Sequence, residues 1–178
     1  MLNETKEGAP MANDLSSVLQ QAMLSERDGY QFYSIAAERA TDSGGAEMFR
    51  HLAREELGHF QALQKKYQAL LEDGTWSAET AWDLPWQPDD AGSIFSPDFV
   101  RRIQGRHFEM AALSIGILLE KQSYEFYVRQ AEAAKDETLR TFFQALARWE
   151  DGHYRMLLRE DEAMQSEYWA ANRFEPLV

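Results

Sequence analysis

A chain of 178 residues, 44% hydrophobic and 12% aromatic, is the right size for one domain with a substantial core. Its 30 acidic residues against 18 basic ones leave a formal charge of −12, which argues against nucleic acid or an anionic membrane surface as partner and favours small cations. With no cysteine, disulfides, iron–sulfur clusters and thiol nucleophiles are excluded, and any metal must be held by oxygen and nitrogen.

Residues 1–13 are mainly polar, carry Pro10 and lack an apolar signal core, so they are expected to form a disordered arm. The longest mainly apolar run, Met110 to Leu119, is far short of a membrane span, and the expectation is a soluble, cytoplasmic protein. From residue 14 onward, apolar side chains recur at helical spacing in four blocks and almost nowhere alternate with period two. The fold class is therefore all-α. The first pair of helices spans 14–40 and 46–71, with Gly44-Gly45 as the break between them. A second pair spans 106–134 and 137–164, with Asp136 as the N-cap of its second helix. Both pairs read as helical hairpins, 14–71 and 106–164, and together they make an antiparallel four-helix bundle over 14–164.

The connection 72–105 differs in composition, with Gly74, Pro85, Pro88, Gly92 and Pro97 interleaved with Trp76, Trp82 and Trp86. About a dozen extended residues suffice to recross a bundle, so this is a long crossover. Its tryptophans are expected to pack on the bundle or in a subunit interface, and Ser96-Pro97 to open a short helix. Residues 165–178 form a tail whose Tyr168, Trp169 and Phe174 to Val178 suit docking.

Sliding the sequence on itself by 94 residues lays Glu26 on Glu120, Glu56 on Glu150 and His59 on His153. Over residues 22–66 the same offset produces 17 identities, among them Tyr33 with Tyr127 and Asp42 with Asp136, where composition alone predicts about three. The chain is two copies of one hairpin.

At 100° per residue, Glu56 shares a stripe with Leu52, Ala53, His59 and Leu63, and Glu150 one with Leu146, Ala147, His153 and Leu157. Glu26 lies in line with Ala22, Tyr30 and Tyr33, and Glu120 with Gly116, Tyr124 and Tyr127. Each helix thus aims one carboxylate at the core. Four buried carboxylates cannot ionise together without compensating charge, and neither lysine nor arginine lies on these stripes near them. Two divalent cations would balance them. One Glu from each of two helices with Glu-x-x-His from each of the other two is the ligand pattern of ferritin-like di-iron and di-manganese bundles. The candidate metal ligands are accordingly Glu26, Glu56, His59, Glu120, Glu150 and His153, with two iron ions as the expected cofactor and manganese as the alternative. Tyr33 and Tyr127 lie within about 20° of Glu26 and Glu120 on the helix wheel; they either orient a ligand carboxylate across the core or serve as aromatic packing. His51 and His107 fall off the stripes and are expected at the surface.

The strings Glu26-Arg-Asp-Gly-Tyr-Gln-Phe-Tyr33 and Glu120-Lys-Gln-Ser-Tyr-Glu-Phe-Tyr127 resemble the rubrerythrin branch of the ferritin-like superfamily, over residues 14–71 and 106–164. The resemblance implies a di-iron carboxylate protein with Glu56 and Glu150 bridging, oxidising Fe(II) and reducing dioxygen or hydrogen peroxide, or storing iron, and an assembly that is a homodimer or larger. Two departures narrow it. The cysteine-bound iron of a rubredoxin domain has no counterpart, so electrons must come from an external donor or from Fe(II) itself. The extra carboxylate that rubrerythrins tend to carry one turn after the third-helix ligand is here Ser123, whose repeat counterpart is Gly29. The remaining alternatives are an iron-storage or ferritin-like cargo protein and a metal-free helical interaction module.

Overall fold

The computed structural model describes the backbone of residues 10–74, 76 and 107–172. Four helices make up this part: α1 Pro10–Arg39, α2 Ser43–Asp73, α3 His107–Ala133 and α4 Glu137–Asn172. No strand occurs among the described residues, and the expected all-α bundle of two hairpins is what forms. α1 packs along α2 and α3 along α4, with α1 meeting α3 to join the hairpins. The outer helices run further than their apolar patterns: α1 starts at Pro10 and α4 continues past Met164 to Asn172. Residues 77–106, which hold Trp82, Trp86 and the Ser96-Pro97 pair, lie outside the described residues, as do the side chains of Tyr168 and Trp169.

The links inside each hairpin are short because capping aspartates stop the unravelling of the helix that follows. Asp42 accepts hydrogen bonds from the amides of Gly44 and Gly45 at 2.8 and 3.0 Å, using up two of the free N–H groups at the start of α2. Gly44 and Gly45 therefore lie in the first turn of α2, and the break falls at 40–42 instead. Asp136 performs the expected capping of α4, taking the Leu139 amide at 2.9 Å. α2 ends at Gly74, whose φ of 69° is the left-handed conformation that glycine adopts without steric cost, and its amide returns to the Leu70 carbonyl. Beyond it Trp76 packs edge-on against Phe142 and donates to Thr138 at 3.0 Å, so the first residues of the crossover are pinned to the start of α4. At the other end Glu109 of α3, buried, accepts from both the amide and the hydroxyl of Thr41 at 2.8 Å, which ties the first hairpin link to the second hairpin.

Two apolar clusters fill the bundle above and below its middle. One contains Tyr33, Phe49, Leu52, Leu113 and Leu157, and the other Tyr127, Leu19, Leu63, Phe143 and Leu146. They are related by the repeat: Tyr33 stacks on Phe49 and Tyr127 on Phe143, each pair with ring centroids 6.2 Å apart. Between them lies a polar layer.

Candidate metal centre

That layer consists of the six residues expected from the repeat. Glu26 and Glu120 come from α1 and α3, Glu56 with His59 from α2, and Glu150 with His153 from α4. All six are 4% exposed or less, with both histidines at zero. A spacing of three residues puts the Glu and His of α2, and those of α4, on one face a turn apart, which is why each of these helices presents two donors to one point.

Nδ1 of His59 lies 3.0 Å from Glu26 Oε2 and 3.4 Å from Glu150 Oε1. Nδ1 of His153 lies 3.3 Å from Glu56 Oε1 and 3.5 Å from Glu120 Oε2. Each histidine therefore sits between one carboxylate of its own hairpin and one of the other hairpin. The imidazoles stack, their centroids 5.7 Å apart. Donor atoms of Glu26, Glu56, His59 and Glu150 lie within 4.8 Å of one another, and so do those of Glu56, Glu120, Glu150 and His153. Glu56 and Glu150 belong to both groups. The repeat thus produces two adjoining four-donor sets with two shared carboxylates.

The tyrosines prove to be oriented donors as well as packing. Tyr33 of α1 hydrogen-bonds to Glu120 Oε1 of α3, and Tyr127 of α3 to Glu26 Oε1 of α1. Gly116 makes the first of these possible, since a Cβ there would come within 3.1 Å of the Tyr33 hydroxyl. Tyr124, expected to face inward, is 37% exposed, because a residue four positions on drifts about 40° from Glu120 whereas Tyr127, seven on, returns to within about 20°. His51 is half-buried rather than a surface residue, and the side chain of His107 lies outside the described residues.

Without cations the layer is electrostatically frustrated. Burial pushes the carboxyls of Glu56 and Glu150 well above the ordinary value, and the facing carboxylates push them further. Burial also opposes charge on Glu120, but the His153 charge and hydrogen bonds from His153, Glu150 and Tyr33 outweigh it and bring it down. His59 and His153 feel burial downward, yet Glu26 beside the one and Glu120 beside the other raise both. Glu56 Oε1 and Glu150 Oε1, both buried, have a histidine Nδ1 at 3.3 and 3.4 Å but no well-formed hydrogen bond among the described residues. Buried acceptors lacking donors are costly, and oxygen donors mixed with imidazole suit divalent iron, manganese or zinc. The residues present fit a pair of such ions.

A wider groove of about 430 Å³ lies between α3 and α4, lined by Tyr124, Arg140, Arg148 and Asp151 among others, and touches none of the six.

A helical bundle with two Glu and two Glu-x-x-His donors converging in its core defines the ferritin-like class. Within that class the rubrerythrin family model matches residues 17–161, and the chain belongs to this family. No curated protein and no solved structure gives a significant match. No described helix is long and apolar enough to cross a membrane.

Proposed function

We propose that the protein is a di-iron carboxylate oxidoreductase, oxidising Fe(II) and reducing dioxygen or hydrogen peroxide in the bundle core. The observation that carries this reading is the sharing of Glu56 and Glu150 between two overlapping four-donor sets. One ion would be held by Glu26 and His59 and the other by Glu120 and His153, with Glu56 and Glu150 available to both. Two divalent ions against four carboxylates would leave the core near neutrality. When bound, the two irons supply the electrons that dioxygen or peroxide takes up.

The protein's own part is positional. Tyr33 and Tyr127 hold Glu120 and Glu26 by one oxygen each, leaving the other oxygen, which already lies by a histidine, directed into the layer. The apolar clusters on either side keep bulk water out. His59 and His153 must shed the protons that their carboxylate neighbours favour before their Nδ1 atoms serve as donors. With Ser123 and Gly29 where a further carboxylate would stand, the set is the six-residue one suited to Fe(II) oxidation, and electrons for peroxide reduction come from Fe(II) or a separate donor.

The test is anaerobic loading with two Fe(II) per chain, followed by air or peroxide. Rapid growth of near-ultraviolet absorbance from ferric product at two irons per chain supports the proposal; oxidation no faster than in buffer would sink it.

A further inference from the structure

A reaction in a sealed layer needs a way in. Between α1 and α3 a cavity of about 20 Å³ reaches inward, and that volume admits about one water-sized molecule. Ser25, Gly29, Leu119 and Ser123 frame it, and Tyr33, Glu56 and Glu120 form its inner end. Ser25 is exposed at the rim, and its hydroxyl is hydrogen-bonded to that of Ser123 at 3.1 Å, so that a small molecule enters beside this pair or by parting it.

The frame falls on the repeat in a revealing way. The offset that superposes the two hairpins pairs Ser25 with Leu119 and Gly29 with Ser123, so equivalent positions face each other across the mouth while their side chains differ. At Gly29 a Cβ would stand 3.0 Å from Glu56 Oε2. Its absence is what carries the passage down to that carboxylate. The inner end is one-sided too: Tyr33, Glu56 and Glu120 line it, whereas Tyr127, Glu26 and His59 do not. On the far side of the layer, the Trp149 ring packs 4.8 Å from the His59 ring, and the repeat counterpart of Trp149 is Glu55.

We propose that the gap framed by Ser25, Gly29 and Ser123 is the access port for a small neutral oxidant such as dioxygen or hydrogen peroxide, and that it reaches the centre at its Tyr33–Glu120 end. This rests on the metal reading above and adds an inequality to it: this cavity meets Tyr33 and Glu120 but not their repeat counterparts Tyr127 and Glu26. The mouth, framed by two hydroxyls, a glycine and a leucine, carries no ionisable group, which suits small neutral molecules, and the cavity is too small for a hydrated ion. Gly29 is then a residue that sets access, acting through the side chain it lacks.

The test uses the full chain, metal-free and loaded with zinc as a diamagnetic substitute, under dissolved dioxygen, whose paramagnetism speeds nuclear relaxation of nearby protons. The Tyr33 ring protons are expected to relax several-fold faster than those of Tyr127, its repeat equivalent. Gly29→Ala should bring the two close to equal while zinc stoichiometry is kept, and Ser123→Leu should do the same from the opposite wall if the alanine variant fails to fold. Equal relaxation in the unaltered chain, or a contrast that survives both substitutions, overturns the port. Failure to bind zinc would overturn the metal reading alone, because the contrast is still measured in the metal-free chain.

Discussion

The Tyr33 hydroxyl on α1 donates to Glu120 on α3, so a residue of the first hairpin fixes a carboxylate of the second. Tyr127 and Glu26 repeat the link in the opposite sense. These two bonds cross-brace the hairpins inside the polar layer. Tyr33→Phe keeps the ring and its stack on Phe49 but leaves Glu120 free to rotate. Affinity for the second metal should fall about ten- to a hundredfold, as for other groups that orient a ligand. Calorimetric titration with Mn(II) measures it; unchanged affinity would reduce Tyr33 to packing.

Because Glu56 and Glu150 each belong to both donor sets, removing either charge should affect both metals together. Glu150→Gln is expected to lower bound metal from two ions per chain to one or none, as read by elemental analysis. The same change should stabilise the metal-free chain by on the order of 1 kcal/mol near neutral pH, since a neutral amide escapes the burial cost of the carboxylate. A residue that served the fold alone would not raise stability while abolishing metal.

The metal-free chain should lose stability as pH rises. Glu56 and Glu150, raised by burial, stay protonated in the folded chain while the unfolded chain ionises above the ordinary value of 4.5, so each costs stability increasingly with pH. His59 and His153, raised by their carboxylate neighbours in spite of burial, contribute stability below the ordinary 6.5 that is lost as pH climbs through their folded values. Glu120 alone acts in reverse, favouring the fold above 4.5 and withdrawing that support on acidification. Calorimetry between about pH 5.5 and about pH 8 should show a falling Tm without metal, and a stabilisation by Mn(II) that grows over the same range because binding displaces protons.

Asp42→Ala removes the acceptor for two amides at the start of α2 and should cost about 1 kcal/mol by urea unfolding. Metal stoichiometry should be unaffected, because the cap sits at the end of the bundle and the six donors in its middle.

The bundle and its six core donors were legible because duplication writes each of them twice and helical spacing assigns each a direction. What escaped detection breaks the repeat or depends on a missing atom. Glu109, which binds Thr41, has Leu15 as its repeat counterpart, so no pairing pointed to it. Gly29 matters through the space it leaves beside Glu56, and that follows only from how closely α1 approaches α2. The tyrosines were half legible: periodicity put Tyr33 and Tyr127 near the stripe, but their crossing to the opposite hairpin depends on how α1 and α3 are staggered. Gly44-Gly45 looked like a break by composition alone, whereas Asp42 draws both amides into a helical turn.

A bundle assembled from two separate identical hairpins would show every substitution on both sides of its axis at once, and a change that opened one flank would open the other. Joined in a single chain, the copies are released from that constraint. Glycine can stand at 29 while serine stands at 123, and tryptophan at 149 while glutamate stands at 55. The fusion lets selection act on each half of a matched pair separately, turning a symmetric scaffold into one with a front and a back.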